Sequence, residues 1–161
     1  MRILGIDPGY DRLGVAIIDK PLKGKEVVVY SDCFQTSPTD TIYDRFRLLG
    51  TEMVRILEEY KPDVMALETL FMSKNQKTGM RVSEARGIII YETTRKHIPI
   101  HEYSPGQIKM AITGDGTSDK ARMIRMVHML VSLPPKKTHD DEYDAVAVAL
   151  TCSAHIKSVG R

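Results

Sequence analysis

Apolar and polar positions along this chain follow two rhythms, one of strands and one of helices. Ile3-Leu4-Gly5-Ile6 is a short apolar run that reads as a buried strand from Arg2 to Asp7, and Pro8-Gly9 stops it on the carboxylate of Asp7. Gly14 to Asp19 reads as a second strand after a turn over Pro8 to Leu13. Glu26-Val27-Val28-Val29-Tyr30 begins a third that runs towards Phe34. Connections this short join antiparallel strands, because a parallel pair needs a crossover of about a dozen residues or more. From Tyr43 to Tyr60 the period becomes helical: Phe46, Leu49, Met53, Ile56, Leu57 and Tyr60 share one face, and Lys61-Pro62 ends it. Val64-Met65-Ala66-Leu67 is then a short apolar strand that closes on Glu68.

In the second half the strand and helix rhythms alternate. Ser73 with Gln76 has the form of a capping box opening a long helix that runs to Lys96. Ile98 to Tyr103 is a fifth strand, and right-handed crossovers make the first, fourth and fifth strands parallel. Ser104-Pro105 opens a short helix that ends before the polar Gly114 to Ser118 loop, which is expected to be mobile. Asp119 to Val131 is amphipathic, with Ile124, Val127 and Val131 inward, up to Leu133-Pro134-Pro135. Asp140 to His155 is the last helix, with Ala145, Val148, Ala149 and Cys152 on one side. The expectation is an α/β fold in one domain over 1–161, with three antiparallel strands plus two parallel ones and no repeats or linkers.

Composition narrows the class. Hydrophobic content of 42% and charged content of 27% are ordinary for a globular protein, and no apolar run approaches the ~20 residues of a membrane span. Asp7 and Pro8 interrupt the opening apolar stretch too early for a secretory signal, so the expected setting is cytoplasmic. Cys33 and Cys152 lie in apolar stretches without metal spacing and read as buried thiols. The net charge of +2 is unevenly spread. Residues 1–72 carry 9 Lys/Arg against 12 Asp/Glu, residues 73–125 carry 10 against 5, and residues 126–161 carry 4 of each. A basic middle suits a phosphate-rich partner.

The acidic residues carry the chemistry. Asp7 and Glu68 end strands expected to be parallel neighbours, which places both at the C-terminal edge of the sheet. Asp141 and Asp144, three residues apart near the start of the last helix, share a face that can close on that edge. Taken singly, Asp7 suits a turn, and the Asp141/Asp144 pair suits a helix dipole. Together, four carboxylates at one point repel strongly at low dielectric, whereas hard divalent cations take oxygen ligands. Two such cations about 4 Å apart activate water and stabilise the leaving oxygen of a phosphoryl displacement.

Gly5-Ile6-Asp7-Pro8-Gly9 with Gly14, Ala66-Leu67-Glu68-Thr69-Leu70-Phe71-Met72-Ser73-Lys74-Asn75, Ala85-Arg86-Gly87 and Asp141-Glu142-Tyr143-Asp144-Ala145-Val146-Ala147 resemble, in order and spacing, the RuvC Holliday junction resolvases. The likeness runs from residue 2 to about residue 153. It implies an RNase H-like fold, with a five-stranded mixed sheet flanked by helices, acting as a homodimer on four-way junction DNA. It implies that Asp7, Glu68, Asp141 and Asp144 hold Mg²⁺ or Mn²⁺, two ions per site. Paired nicks would leave 5′-phosphate and 3′-hydroxyl ends, and RuvA and RuvB would be partners in branch migration. One departure is His139-Asp140 before Asp141, since some members of the family use His at a metal-facing position of this segment.

The resemblance also gives Phe71 the role of stacking on an unpaired base, a contact worth roughly 1–3 kcal/mol. It likewise places Lys109 and Lys120 near the scissile phosphate. On the residues alone, Phe71 suits core packing equally well and the two lysines suit a solvated helix face. Lys74, Lys77, Arg81 and Arg86 offer phosphate contacts on or before the long helix, which would raise affinity without selecting sequence. The excess apolar surface of that helix, Val82, Ala85, Ile88, Ile89 and Ile90, matches the family's dimer contact. Three other readings compete. The opening motif is also similar to the phosphate loop of actin-like sugar kinases, but 161 residues cannot hold the two lobes they need. An RNase H-like nuclease acting on RNA or other structured DNA, and a non-catalytic junction-binding module, are the other two.

Overall fold

The computed structural model describes residues 1–70, 76–133 and 139–156, without the side chains of residues 76 and 77. Strands β1 (Arg2–Asp7), β2 (Arg12–Asp19) and β3 (Val27–Gln35) form the antiparallel meander. Helix α1 (Ile42–Tyr60) leads to β4 (Val64–Glu68), and α2 (Gln76–Arg95) leads to β5 (Ile100–Tyr103). Helices α3 (Pro105–Thr113), α4 (Lys120–Leu130) and α5 (Asp140–His155) follow. The sheet order is β3-β2-β1-β4-β5, with β4 parallel to both β1 and β5.

Alternation along the strands sorts the core into two layers. Leu4 and Ile6 of β1 and Met65 and Leu67 of β4 pack with Leu49, Met53 and Ile56 of α1 and with Ala85 and Ile89 of α2. Ile3, Val64 and Ala66 point the other way and pack with α3, α4 and α5. Gly5, Asp7 and Glu68 fall on that second face by the same period-two rule. The acidic ends of β1 and β4 therefore turn towards α5, and register sets them side by side, with Ile6 opposite Leu67.

Local signals explain the helix ends. Thr41 caps α1 by accepting from the Asp44 backbone N–H. Lys61 ends the same helix in the left-handed region at φ 46°, and Pro62 prevents continuation. Ser104 and Gln107 form a reciprocal capping box with Pro105 in the first turn of α3. One expectation needs correction: Met123 rather than Ile124 is the buried partner of Val127 on α4. The Gly114 to Ser118 loop carries hydrogen bonds of its own, from Thr113 Oγ1 to Ser118 Oγ at 2.6 Å and from the Thr117 N–H to Asp115 Oδ1 at 2.9 Å.

Helix α5 is buried nearly all round, from Ala145 through Ser153. Its approach to the sheet depends on two glycines. A Cβ at Gly5 would stand 2.2 Å from the Ala145 carbonyl oxygen, and one at Gly14 would stand 2.1 Å from that of Asp141. Any side chain at either position would hold α5 off the sheet and its first turn away from Asp7.

Candidate active site

Asp7, Glu68 and Asp144, brought in by β1, β4 and α5, line one cleft of about 410 Å³, and Lys109 and Lys120 line it with them. Each is held there by an identifiable piece of local structure. Pro8-Gly9 ends β1 immediately after Asp7, and β4 ends on Glu68, whose neighbour Thr69 donates its N–H to the Tyr103 carbonyl at 2.9 Å. The first turn of α5 is fixed by Glu142, which is buried. Its carboxylate accepts from Ser31 Oγ at 2.9 Å and from the His139 N–H at 3.2 Å. Glu142 was not singled out in the sequence, because a Glu in the first turn of a helix reads as a solvated, dipole-favoured residue.

The electrostatics are those of crowded like charges. Burial, and then the charges of Glu68, Asp144 and Asp141, push Asp7 up to about 8. Burial and the charge of Asp144 push Glu68 up to about 7, against the opposing pull of Lys120, an Asp7 hydrogen bond and Lys109. Asp144 is raised as well, by burial, with Lys120 opposing. Lys120 Nζ reaches Asp144 Oδ2 at 3.1 Å and Asp140 Oδ2 at 3.3 Å. Burial draws the lysine down, but these two partners outweigh it and hold its ammonium form above the usual range.

Asp141, three residues before Asp144 on α5, adds its charge to Asp7 and Asp144 and also meets β2 and β3. Its Oδ2 stands 3.5 Å from Arg12 Nη1 and 3.6 Å from Cys33 Sγ, at the β2–β3 side of the cleft. The Cys33 thiol is pushed up to about 11 by burial and by Asp141, so it keeps its proton and remains a weak donor. His139 precedes the helix, and its N–H is the donor to Glu142.

The donor set fits a hard divalent cation in chemistry: it is all carboxylate oxygen, and its negative charges repel one another. Among the described residues, no three His, Cys, Asp or Glu side chains stand close enough together to hold a metal ion as they are placed. Asp7, Glu68 and Asp144 are the residues that would hold the ion, with Asp141 beside them.

The other sequence candidates divide. Phe71, Lys74 and the Lys77 side chain lie outside the described residues. Lys109 and Lys120 line the cleft as expected. Arg81 pairs with Glu84 at 2.8 Å on the surface of α2. Arg86, expected to face phosphate, is turned inward: Nη1 donates to the Glu68 main-chain carbonyl at 2.5 Å and Nη2 to Glu102 Oε1 at 2.6 Å. Arg12 was missed, because nothing in the sequence indicates that the start of β2 meets Asp141.

A mixed sheet in this order, with carboxylates at the ends of its parallel strands and a helix bringing another, places the chain in the RNase H-like class of folds. The family profile described as crossover junction endodeoxyribonuclease RuvC matches residues 3–152. The chain belongs to the RuvC family. It is 41% identical over 150 residues to the crossover junction endodeoxyribonuclease RuvC of Thermosipho melanesiensis, covering 92% of this chain and 94% of that protein. It is also 41% identical over 150 residues to the protein of that name from Caldicellulosiruptor saccharolyticus, covering 93% and 90%. Among solved structures, T. thermophilus RuvC in complex with Holliday junction substrate superposes with a TM-score of 0.88 at 25% identity, covering 95% of this chain and 93% of that one. The yeast mitochondrial Holliday junction resolvase Ydc2 shares the fold, with a TM-score of 0.69 at 14% identity over 93% and 76% of the two chains.

Proposed function

We propose that this protein resolves four-way DNA junctions by paired, metal-dependent nicks that leave 5′-phosphate and 3′-hydroxyl ends, in recombination and repair. The observation that carries the reading is the cleft itself. Three half-buried carboxylates from β1, β4 and α5 share one cleft with two lysines, in a chain that spans nearly the whole length of a relative solved on a Holliday junction. Mg²⁺, two ions per site with Mn²⁺ as a substitute, would lower the pKa of a bound water and neutralise charge on the scissile phosphate.

The protein's own groups supply the rest. Asp7, Glu68 and Asp144 would hold the ions, with Asp141 supporting them from the flank. Lys109 and Lys120 set positive charge against the phosphate where negative charge grows during displacement. Phe71 stacks on a base unpaired at the crossover. Lys74, Lys77 and Arg81 contact backbone phosphate and make affinity salt-dependent. The working unit is a homodimer of one-domain chains in the cytoplasm, with RuvA and RuvB as partners.

The test is incubation with a synthetic four-way junction, a matched duplex and an RNA–DNA hybrid, with and without Mg²⁺. Cleavage of the junction alone, only with metal and with ends that ligase seals, is expected. Cutting of the hybrid with the junction left intact would overturn the reading.

A further inference from the structure

We propose that Arg86 is a positioning residue that holds Glu68 in the cleft from the opposite face of the sheet. The inference rests on reading Glu68 as a metal-holding carboxylate. Strand alternation sends the Glu68 side chain towards α5, whereas α2, which carries Arg86, packs on the α1 side. Arg86 therefore cannot act through the carboxylate, and its contact is with the backbone. Nη1 takes the Glu68 carbonyl at 2.5 Å while Nη2 takes Glu102 Oε1 on β5 at 2.6 Å. One guanidinium ties the last residue of β4 to the next-to-last residue of β5, and its side chain is only 13% exposed.

The physical consequence follows from peptide planarity. A fixed carbonyl fixes the peptide plane at the end of β4, and with it the direction in which the Glu68 side chain leaves the backbone. Both contacts use charged groups, and such hydrogen bonds are roughly twice as strong as neutral ones. The Thr69 N–H bond to the Tyr103 carbonyl holds one side of this same peptide, and Arg86 holds the other, at the last residue of the β4–β5 ladder. Lysine carries the charge but lacks the planar fork that reaches two acceptors at once.

Wild type, Arg86→Lys, Arg86→Met and Glu102→Gln are compared in three assays, each below the variant's melting temperature. These are junction affinity without divalent metal at several salt concentrations, single-turnover cleavage at saturating protein, and Mg²⁺ affinity by calorimetry without DNA. If Arg86 positions Glu68, Arg86→Lys slows cleavage and weakens Mg²⁺ binding about 10–100-fold, the usual cost of losing a group that orients a metal ligand. Its junction affinity and salt slope match wild type, and Glu102→Gln moves the same two quantities less far. The proposal is overturned if Arg86→Lys cuts and binds Mg²⁺ like wild type, or if Arg86→Met only loses junction affinity and about one unit of salt slope, the mark of a phosphate contact. A wild-type protein that fails to cut the junction would sink the proposed function, and Mg²⁺ affinity would still decide the role of Arg86.

Discussion

At the scale of the residue, Asp7 concentrates the conflict between stability and function. Its pKa of about 8 lies far above the roughly 3.9 of an exposed Asp, because burial and three carboxylate neighbours disfavour its charge. Between those two values the folded chain holds a proton that the unfolded chain has released. Stability of the metal-free protein therefore falls as pH rises through this window and levels off above about 8. Glu68 acts in the same direction up to about 7. Without metal, the melting temperature is expected to drop by several degrees between pH 5 and pH 8, and added Mg²⁺ should recover more of it at pH 8 than at pH 5. Thermal unfolding at the two pH values, with and without Mg²⁺, reads both effects; a pH-independent response to Mg²⁺ would count against a metal at these carboxylates. Asp7→Asn removes the buried charge, so it should flatten the metal-free pH dependence, retain junction binding and abolish cleavage. Loss of binding together with cleavage would show that Asp7 holds up the fold instead.

At the scale of the element, the site depends on how closely α5 lies on β1 and β2. The Cβ of Gly14→Ala would stand 2.1 Å from the Asp141 carbonyl oxygen and 3.1 Å from Asp7 Cβ, and a backbone contact of that kind cannot be relieved by a rotamer change. Overpacking typically costs about 1–3 kcal/mol, and an ångström of misplacement can cost on the order of 100-fold in rate. Gly14→Ala is expected to fold with a lowered melting temperature and to lose at least that much cleavage; near-wild-type turnover would mean that α5 is free to shift. This dependence also shows what the sequence made legible. Apolar runs ending on Asp7 and Glu68, with short connections before and helical periods after, were enough to place both carboxylates at one sheet edge. The pattern was too coarse for contacts that cross between elements. It could not show that Arg86 turns inward to Glu68, that Glu142 is buried against Ser31, or that Asp141 leans towards Arg12 and Cys33. Nor could one helical face reveal that α5 is covered on every side, because that depends on where α3 and α4 pack. Met123 was missed for a related reason: neighbouring apolar residues on a short helix leave the inward direction undecided.

At the scale of the whole molecule, the apolar surface between α1 and α2 exceeds what one chain covers. A cleft of about 540 Å³ there is lined by Phe46, Gly50, Val54 and Ile88 among others, while Met80 and Tyr91 on α2 stand more than half exposed. Inward packing of α2 uses Ala85 and Ile89, so Ile88 is half-buried and open to solvent beside Gly50. A four-way junction offers two equivalent strands, and a twofold pair of identical clefts would match them. Ile88→Glu probes the proposed dimer, because it sets a charge in the cleft away from the carboxylates; Ile88 also packs against the core beneath α2, so retained secondary structure and melting temperature are checked alongside. Sedimentation should show a shift from dimer to monomer with secondary structure retained. The cleavage products should shift with it, from paired cuts that release linear duplexes to single nicks that accumulate. A variant that still sediments as a dimer and cuts in pairs would place the contact elsewhere, and a wild-type monomer that makes paired cuts would remove the need for twofold symmetry.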